Sequence, residues 1–126
     1  MNGLVTFEVK IELERNLVRT RWVGRVTAAD MKEAAGLVER TLPGGLRTGF
    51  FVLADLSGLV SMELECAPHL SRIMDICLAH GVGRVVRVIP DHTKDIGINI
   101  LSIIHYRGKV QTLTCDTMEE AELALS

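Results

Sequence analysis

The segment FFVLADLSGLVSMELECAPHL, residues 50–70, decides the architecture. Phe50 to Ala54 is an unbroken apolar run bounded by Gly49 and Asp55. A strand with one wet face would alternate polar and apolar residues. A continuous run predicts a central strand covered on both faces. Asp55-Leu56-Ser57-Gly58 then predicts a turn at the strand's C-terminal end. A helix follows, starting near Glu65 to Pro68, because proline is tolerated in a first helical turn. Leu70, Ile73, Met74, Cys77 and Leu78 form its apolar stripe, and Gly81 suits its C-terminal cap.

Upstream, residues 5–13 alternate cleanly. Val5, Phe7, Val9, Ile11 and Leu13 fall on one face, with Thr6, Glu8, Lys10 and Glu12 on the other. Glu14-Arg15-Asn16 is a polar break of hairpin length. Residues 17–26 alternate again, with Arg19, Arg21 and Arg25 opposed to Val18, Trp22 and Val26. Antiparallel pairing would set this arginine row near Glu8 and Glu12, as a solvated sheet face rather than an anion site. Thr27 and Asp30 have capping-box spacing. Met31, Ala34, Ala35, Val38 and Leu42 follow at helical period until Pro43-Gly44-Gly45 ends the segment.

Downstream, Val82 to Ile89 reads as a strand ended by Pro90-Asp91. Residues 93–106 read as a third helix with Ile96, Ile100, Leu101, Ile103 and Ile104 apolar, weakened by Gly97 and Asn99. Lys109 to Thr114 is a short strand, and Thr117-x-x-Glu120 caps a final helix. The order β-β-α-β-α-β-α-β-α predicts an α/β domain: a mixed sheet of about five strands opening with a hairpin, with about four helices packed on it.

The chain has 126 residues, 48% hydrophobic and 24% charged, which fits a single domain over residues 1–126 with its own core. A net charge of −2 argues against a broad nucleic-acid footprint, so no nucleic-acid partner is expected. Cys66, Cys77 and Cys115 match no metal or disulfide pattern and read as buried thiols. His69, His80, His92 and His105 show no metal-ligand spacing. Gly81-Val82-Gly83 precedes a strand rather than opening a helix, so it is no phosphate loop. No cofactor or metal is implied. The N-terminus does not resemble a secretory signal and no run of about eighteen apolar residues occurs, so the expected location is the cytoplasm.

The element order and the quoted segment resemble the STAS domain of anti-sigma-factor antagonists, the SpoIIAA-like family. Asp55-Leu56-Ser57 is similar to its strand-end Asp-x-Ser, and Met62-Glu63 to its later Met-Asp. KVQTLTCDTMEEAELAL resembles the terminal strand and helix of the SpoIIAA-like branch. The resemblance implies a regulatory module rather than an enzyme, binding a protein partner through Asp55, Ser57, Ser61, Met62, Glu63 and Glu65. The antagonists carry a phosphorylatable serine just after Met-Asp. Here Leu64 holds that position, followed by Glu65, which would supply a fixed negative charge; Ser57 and Ser61 are near but displaced.

Two other readings come from the residues. Ile96, Ile100, Ile103, Ile104 and Tyr106 would line a site for a small apolar or lipid-like ligand, with peripheral membrane association. His92, set near Asp55 or Ser57 at the strand ends, would serve a small enzyme. Homodimerisation through an exposed sheet edge or helix stays open.

Overall fold

A computed structural model describes residues 6–89 and 110–125. Its five strands are β1 (Phe7–Glu12), β2 (Leu17–Val26), β3 (Phe51–Met62), β4 (Arg84–Val88) and β5 (Gln111–Cys115). They lie side by side in sequence order; β1 and β2 pair antiparallel, and every later neighbour pairs parallel. The described helices are α1 (Ala28–Thr41), α2 (Ala67–Ala79) and α3 (Met118–Leu125). The expected helix over residues 93–106, with its proposed ligand residues, and His92 lie outside the described residues.

The hairpin forms where the polar break predicts it. Leu13–Arg15 makes one 3-10 turn, and Asn16 takes the left-handed conformation at φ 52°. Asparagine tolerates that region better than most residues. Its side chain also accepts from Arg47 N (2.8 Å) and donates to Arg47 O (3.2 Å), tying the hairpin to the loop before β3.

Helices cover both sheet faces. Met31, Ala34, Ala35 and Val38 of α1 and Leu70, Ile73, Met74 and Cys77 of α2 pack on Val18, Trp22, Val52, Leu56 and Val85. The opposite face presents Leu17, Leu53, Val86 and Val88 to Ala121 of α3. This double cover explains the unbroken apolar run of β3. Both capping signals are realised. Thr27 Oγ1 accepts from Asp30 N (3.2 Å) while Asp30 accepts from Thr27 N (3.1 Å), and Thr117 Oγ1 accepts from Glu120 N (3.1 Å). Gly81 ends α2 at φ 86°, a backbone that L side chains rarely adopt.

One expectation is corrected. Asp55-Leu56-Ser57-Gly58 is not a turn: β3 continues through it to Met62. From Arg21 to Val26, β2 advances five residues while its partners advance seven, from Asp55 to Met62. Two bulges absorb the excess, one near Leu56-Ser57 and one at Val60. Residues that favour a turn in isolation are held here as bulges within the ladder with β2.

Candidate interaction surface

The Asp55–Glu65 segment is built by these bulges. Asp55 Oδ1 accepts from both Ser57 N (3.0 Å) and Ser57 Oγ (2.6 Å). This short-range pairing occupies the backbone donor that the first bulge removes from the ladder. Beyond it Leu59 turns inward, and Val60, the extra residue of the second bulge, turns outward. Ser61 is exposed and sits opposite Arg25 of β2, and Met62 is half-buried against the core.

Glu63 leaves β3 and reaches α1. Its Oε1 accepts from Ala28 N at 2.9 Å, next to the Thr27–Asp30 box. The first backbone N–H groups of a helix lack intrahelical partners, and a carboxylate there also meets the positive end of the helix dipole. Glu63 N donates to Val26 O (3.2 Å), and the 3-10 turn Leu64–Cys66 follows. Cys66 is buried, with its Sγ donating to Val26 O at 3.6 Å. Burial pushes this thiol up, and the neighbouring carboxylates of Glu63, Asp30 and Glu65 act in the same direction. Cys77 and Cys115 are buried too, and burial likewise raises Cys115.

The sequence-predicted residues therefore divide. Asp55 and Glu63 are eight positions apart, and because two bulges shorten β3 to the pace of β2 the span is about 20 Å. Asp55 lies in register with Arg21, which in turn pairs with Glu8. It helps line a charged groove of about 230 Å³ with Glu8, Lys10, Arg19 and Arg21. Ser61, Glu63 and Glu65 gather instead at the far end of β3, beside the N-terminus of α1. Val60 and Leu64 stand there as large apolar side chains 51% and 84% exposed. The sequence holds a signal for this pair, since Leu64 sits between two glutamates and outside the α2 stripe.

Two further features were not read from the sequence. A pocket of about 60 Å³ opens between the sheet and α2, with Trp22, Leu56, Leu70, Ile73 and Met74 among its walls and the buried Arg87 at its edge. Arg87 Nη2 donates to Thr114 Oγ1 of β5 at 2.9 Å. On the opposite sheet face, Arg19 donates to Glu12 (2.7 Å) and to Glu122 of α3 (2.8 Å), and Arg15 donates to Glu122 as well (2.9 Å). The expected arginine–glutamate pairing across the hairpin is thus present, and it extends to the final helix. Among the described residues no group of three His, Cys, Asp or Glu is placed to hold a metal, and no helix is long and apolar enough to cross a membrane.

The whole arrangement is SpoIIAA-like. A protein of the DUF3478 family with a SpoIIAA-like fold, from Shewanella loihica PV-4, superposes with a TM-score of 0.69 at 18% identity, over 100% of this chain and 98% of that one. The anti-sigma factor antagonist SpoIIAA in its unphosphorylated form gives 0.60 at 15% identity, over 94% of this chain and 96% of that one. The phosphorylated form of the Bacillus cell fate determinant SpoIIAA gives 0.60 at 16% identity, over 96% and 100%. No family model and no curated protein sequence matches the chain.

Proposed function

We propose that this SpoIIAA-like chain is a non-enzymatic regulatory module that binds a protein partner with the end of β3 and the turn leading into α2. The observation that carries this reading is the exposed set Val60, Ser61, Glu63, Leu64 and Glu65, interrupted only by the half-buried Met62 and pinned on both sides by the buried Leu59 and Cys66. Such a segment is preorganised, so binding it costs little ordering entropy. The anti-sigma factor antagonist among the structural neighbours supports a regulatory role.

A hydroxyl switch of the antagonist type has no hydroxyl at Leu64. Of the two nearby serines, Ser57 already donates to Asp55, so a phosphoryl group there would confront a carboxylate. Ser61 is the exposed hydroxyl within the surface. Glu65 supplies a permanent negative charge in either case.

The test uses Ser61→Arg combined with Glu65→Arg, leaving Glu63 in place because its carboxylate caps α1. Affinity capture from the native host should recover a stoichiometric protein with the wild-type chain and lose most of it with the double variant. Equal recovery with both removes this surface from the account, and no recovered protein with either removes the regulatory reading.

The pocket beside Trp22 favours a second reading, a carrier for a small apolar ligand. About 60 Å³ holds only a few carbon atoms, far below the several hundred Å³ of a typical ligand site. A bound chain would therefore have to enlarge the pocket or extend past it, which ranks this reading second. Ile96, Ile100, Ile103, Ile104 and Tyr106 remain its proposed contacts. A small-molecule adduct that survives gentle purification would support it.

A further inference from the structure

β1 forms one border of the sheet, and among the described residues no strand pairs with its outer edge. Free edges are usually blunted by a bulge, a proline or a very short strand. β1 has six residues, no proline and an unbroken register with β2. The phase of that ladder is set by Val23 N, which donates to Thr6 O at 3.0 Å. Thr6, Glu8, Lys10 and Glu12 therefore aim their backbone N–H and C=O groups at β2, while Phe7, Val9 and Ile11 aim theirs outward. Glu8 and Lys10 share the wet face of the strand, and both are exposed.

We propose that β1 pairs antiparallel with β1 of a second copy, across a two-fold axis through Val9, joining two sheets into one. The outward backbone groups sit on odd positions, so a ladder forms only in registers that match odd with odd. With the axis at Val9, that residue meets its own image and Phe7 meets the partner's Ile11, which gives about six N–H···O=C bonds. Glu8 then stands opposite the partner's Lys10 on both sides of the axis. These are non-hydrogen-bonded positions, where side chains come closest, at about 4.5 Å between Cα atoms. Within its own chain Lys10 faces Arg19, a like-charge neighbour, so a carboxylate on its other side is favourable. The neighbouring registers fail on charge. An axis at Glu8 or at Lys10 sets that residue against itself. An axis at Ile11 asks Lys10 to pair with Glu12, whose carboxylate already accepts from Arg19 and Arg15, and it runs the ladder past the end of β1. An axis at Phe7 pairs no opposite charges. The other border strand, β5, has no charged residue from Gln111 to Cys115 that would fix a register. This contact is independent of the partner surface proposed above, which lies on β3, two strands away.

Sedimentation velocity on the full-length chain, over a wide range of concentrations, tests the pairing. The wild type should pass from monomer to dimer as concentration rises. Glu8→Lys or Lys10→Glu alone turns two attractive pairs into two repulsive ones, and should weaken the dimer about tenfold or more. Mixing the two single variants should restore it, because each chain then offers the charges that the other lacks. The doubly exchanged chain, Glu8→Lys with Lys10→Glu, should dimerise with itself. That chain decides the matter if a single variant melts below the wild type in dilute solution. A wild type that stays monomeric at every concentration overturns the inference. So does a dimer that both single variants leave intact, or one that neither the mixture nor the double exchange restores. The partner-binding reading survives each of those results, since its own failure is read from capture with the Ser61→Arg and Glu65→Arg variant.

Discussion

Leu59 and Leu64 are five positions apart and have opposite fates, 2% and 84% exposed. Hydropathy cannot separate them. The end of β3 does, because Leu64 lies past Met62 on the 3-10 turn Leu64–Cys66, where Cys66 is the side chain that turns inward. Leu59→Ala should therefore cost about 2–5 kcal/mol of folding stability by leaving a cavity, whereas Leu64→Asp should change it by less than about 0.5 kcal/mol. Urea denaturation of both variants checks this; similar costs would mean that Leu64 is packed. Glu63 illustrates a different lesson. The resemblance of Met62-Glu63 to the family's Met-Asp implies a partner-binding acid, but the Glu63 carboxylate accepts from Ala28 N. Glu63→Ala should lower stability by about 1 kcal/mol, and Glu63→Gln, which keeps an acceptor oxygen, by less. Thermal unfolding would show a shift of a few degrees for the first variant. Equal shifts for both would show that charge alone, and not the hydrogen bond, matters at this helix end.

At the scale of elements, the final helix is the one held by charge. α3 is short, and of its residues only Ala121 is fully buried. Arg19 and Arg15 grip Glu122 from the hairpin, and Arg84 Nη1 donates to Ala124 O at 2.8 Å near the helix C-terminus. The hydrogen bond from Arg19 holds the carboxyls of both Glu12 and Glu122 below the usual carboxylate range. A carboxyl whose pKa is lowered by folding favours the folded state above its unfolded value. That contribution is lost as pH falls through the lowered folded value. Glu122→Gln should thus reduce stability at pH 7 by up to about 1 kcal/mol, the small size expected for partly exposed pairs, with much less effect near pH 3. Denaturation of both proteins across pH 3–7 checks it, and parallel curves would show that the ion pairs contribute nothing. Local rules made most elements legible: alternation for the hairpin, capping spacing for α1 and α3, and a continuous apolar run for β3. The ion-pair clamp was legible only in half. Glu12 lies on the hairpin with Arg19, but Glu122 is 103 positions from Arg19 in sequence, and no local pattern links them. The extension of β3 through Asp55–Gly58 was hidden for the same reason, since the bulges are defined by register with β2.

For the molecule as a whole, the fold places two distinct chemical surfaces along β3. The charged groove beside Asp55 carries both signs, and the Val60–Glu65 end, with its exposed Val60 and Leu64, is the surface proposed to bind a partner. The small pocket between the sheet and α2 supports the second reading on different physics, burial of a few apolar atoms against contact through a held surface segment. Native mass spectrometry of the protein purified gently from its own host separates these directly. The account predicts a complex whose added mass is that of a second, different polypeptide. A folded chain carrying only a small-molecule adduct, or one that is bare at every concentration tested, would contradict it.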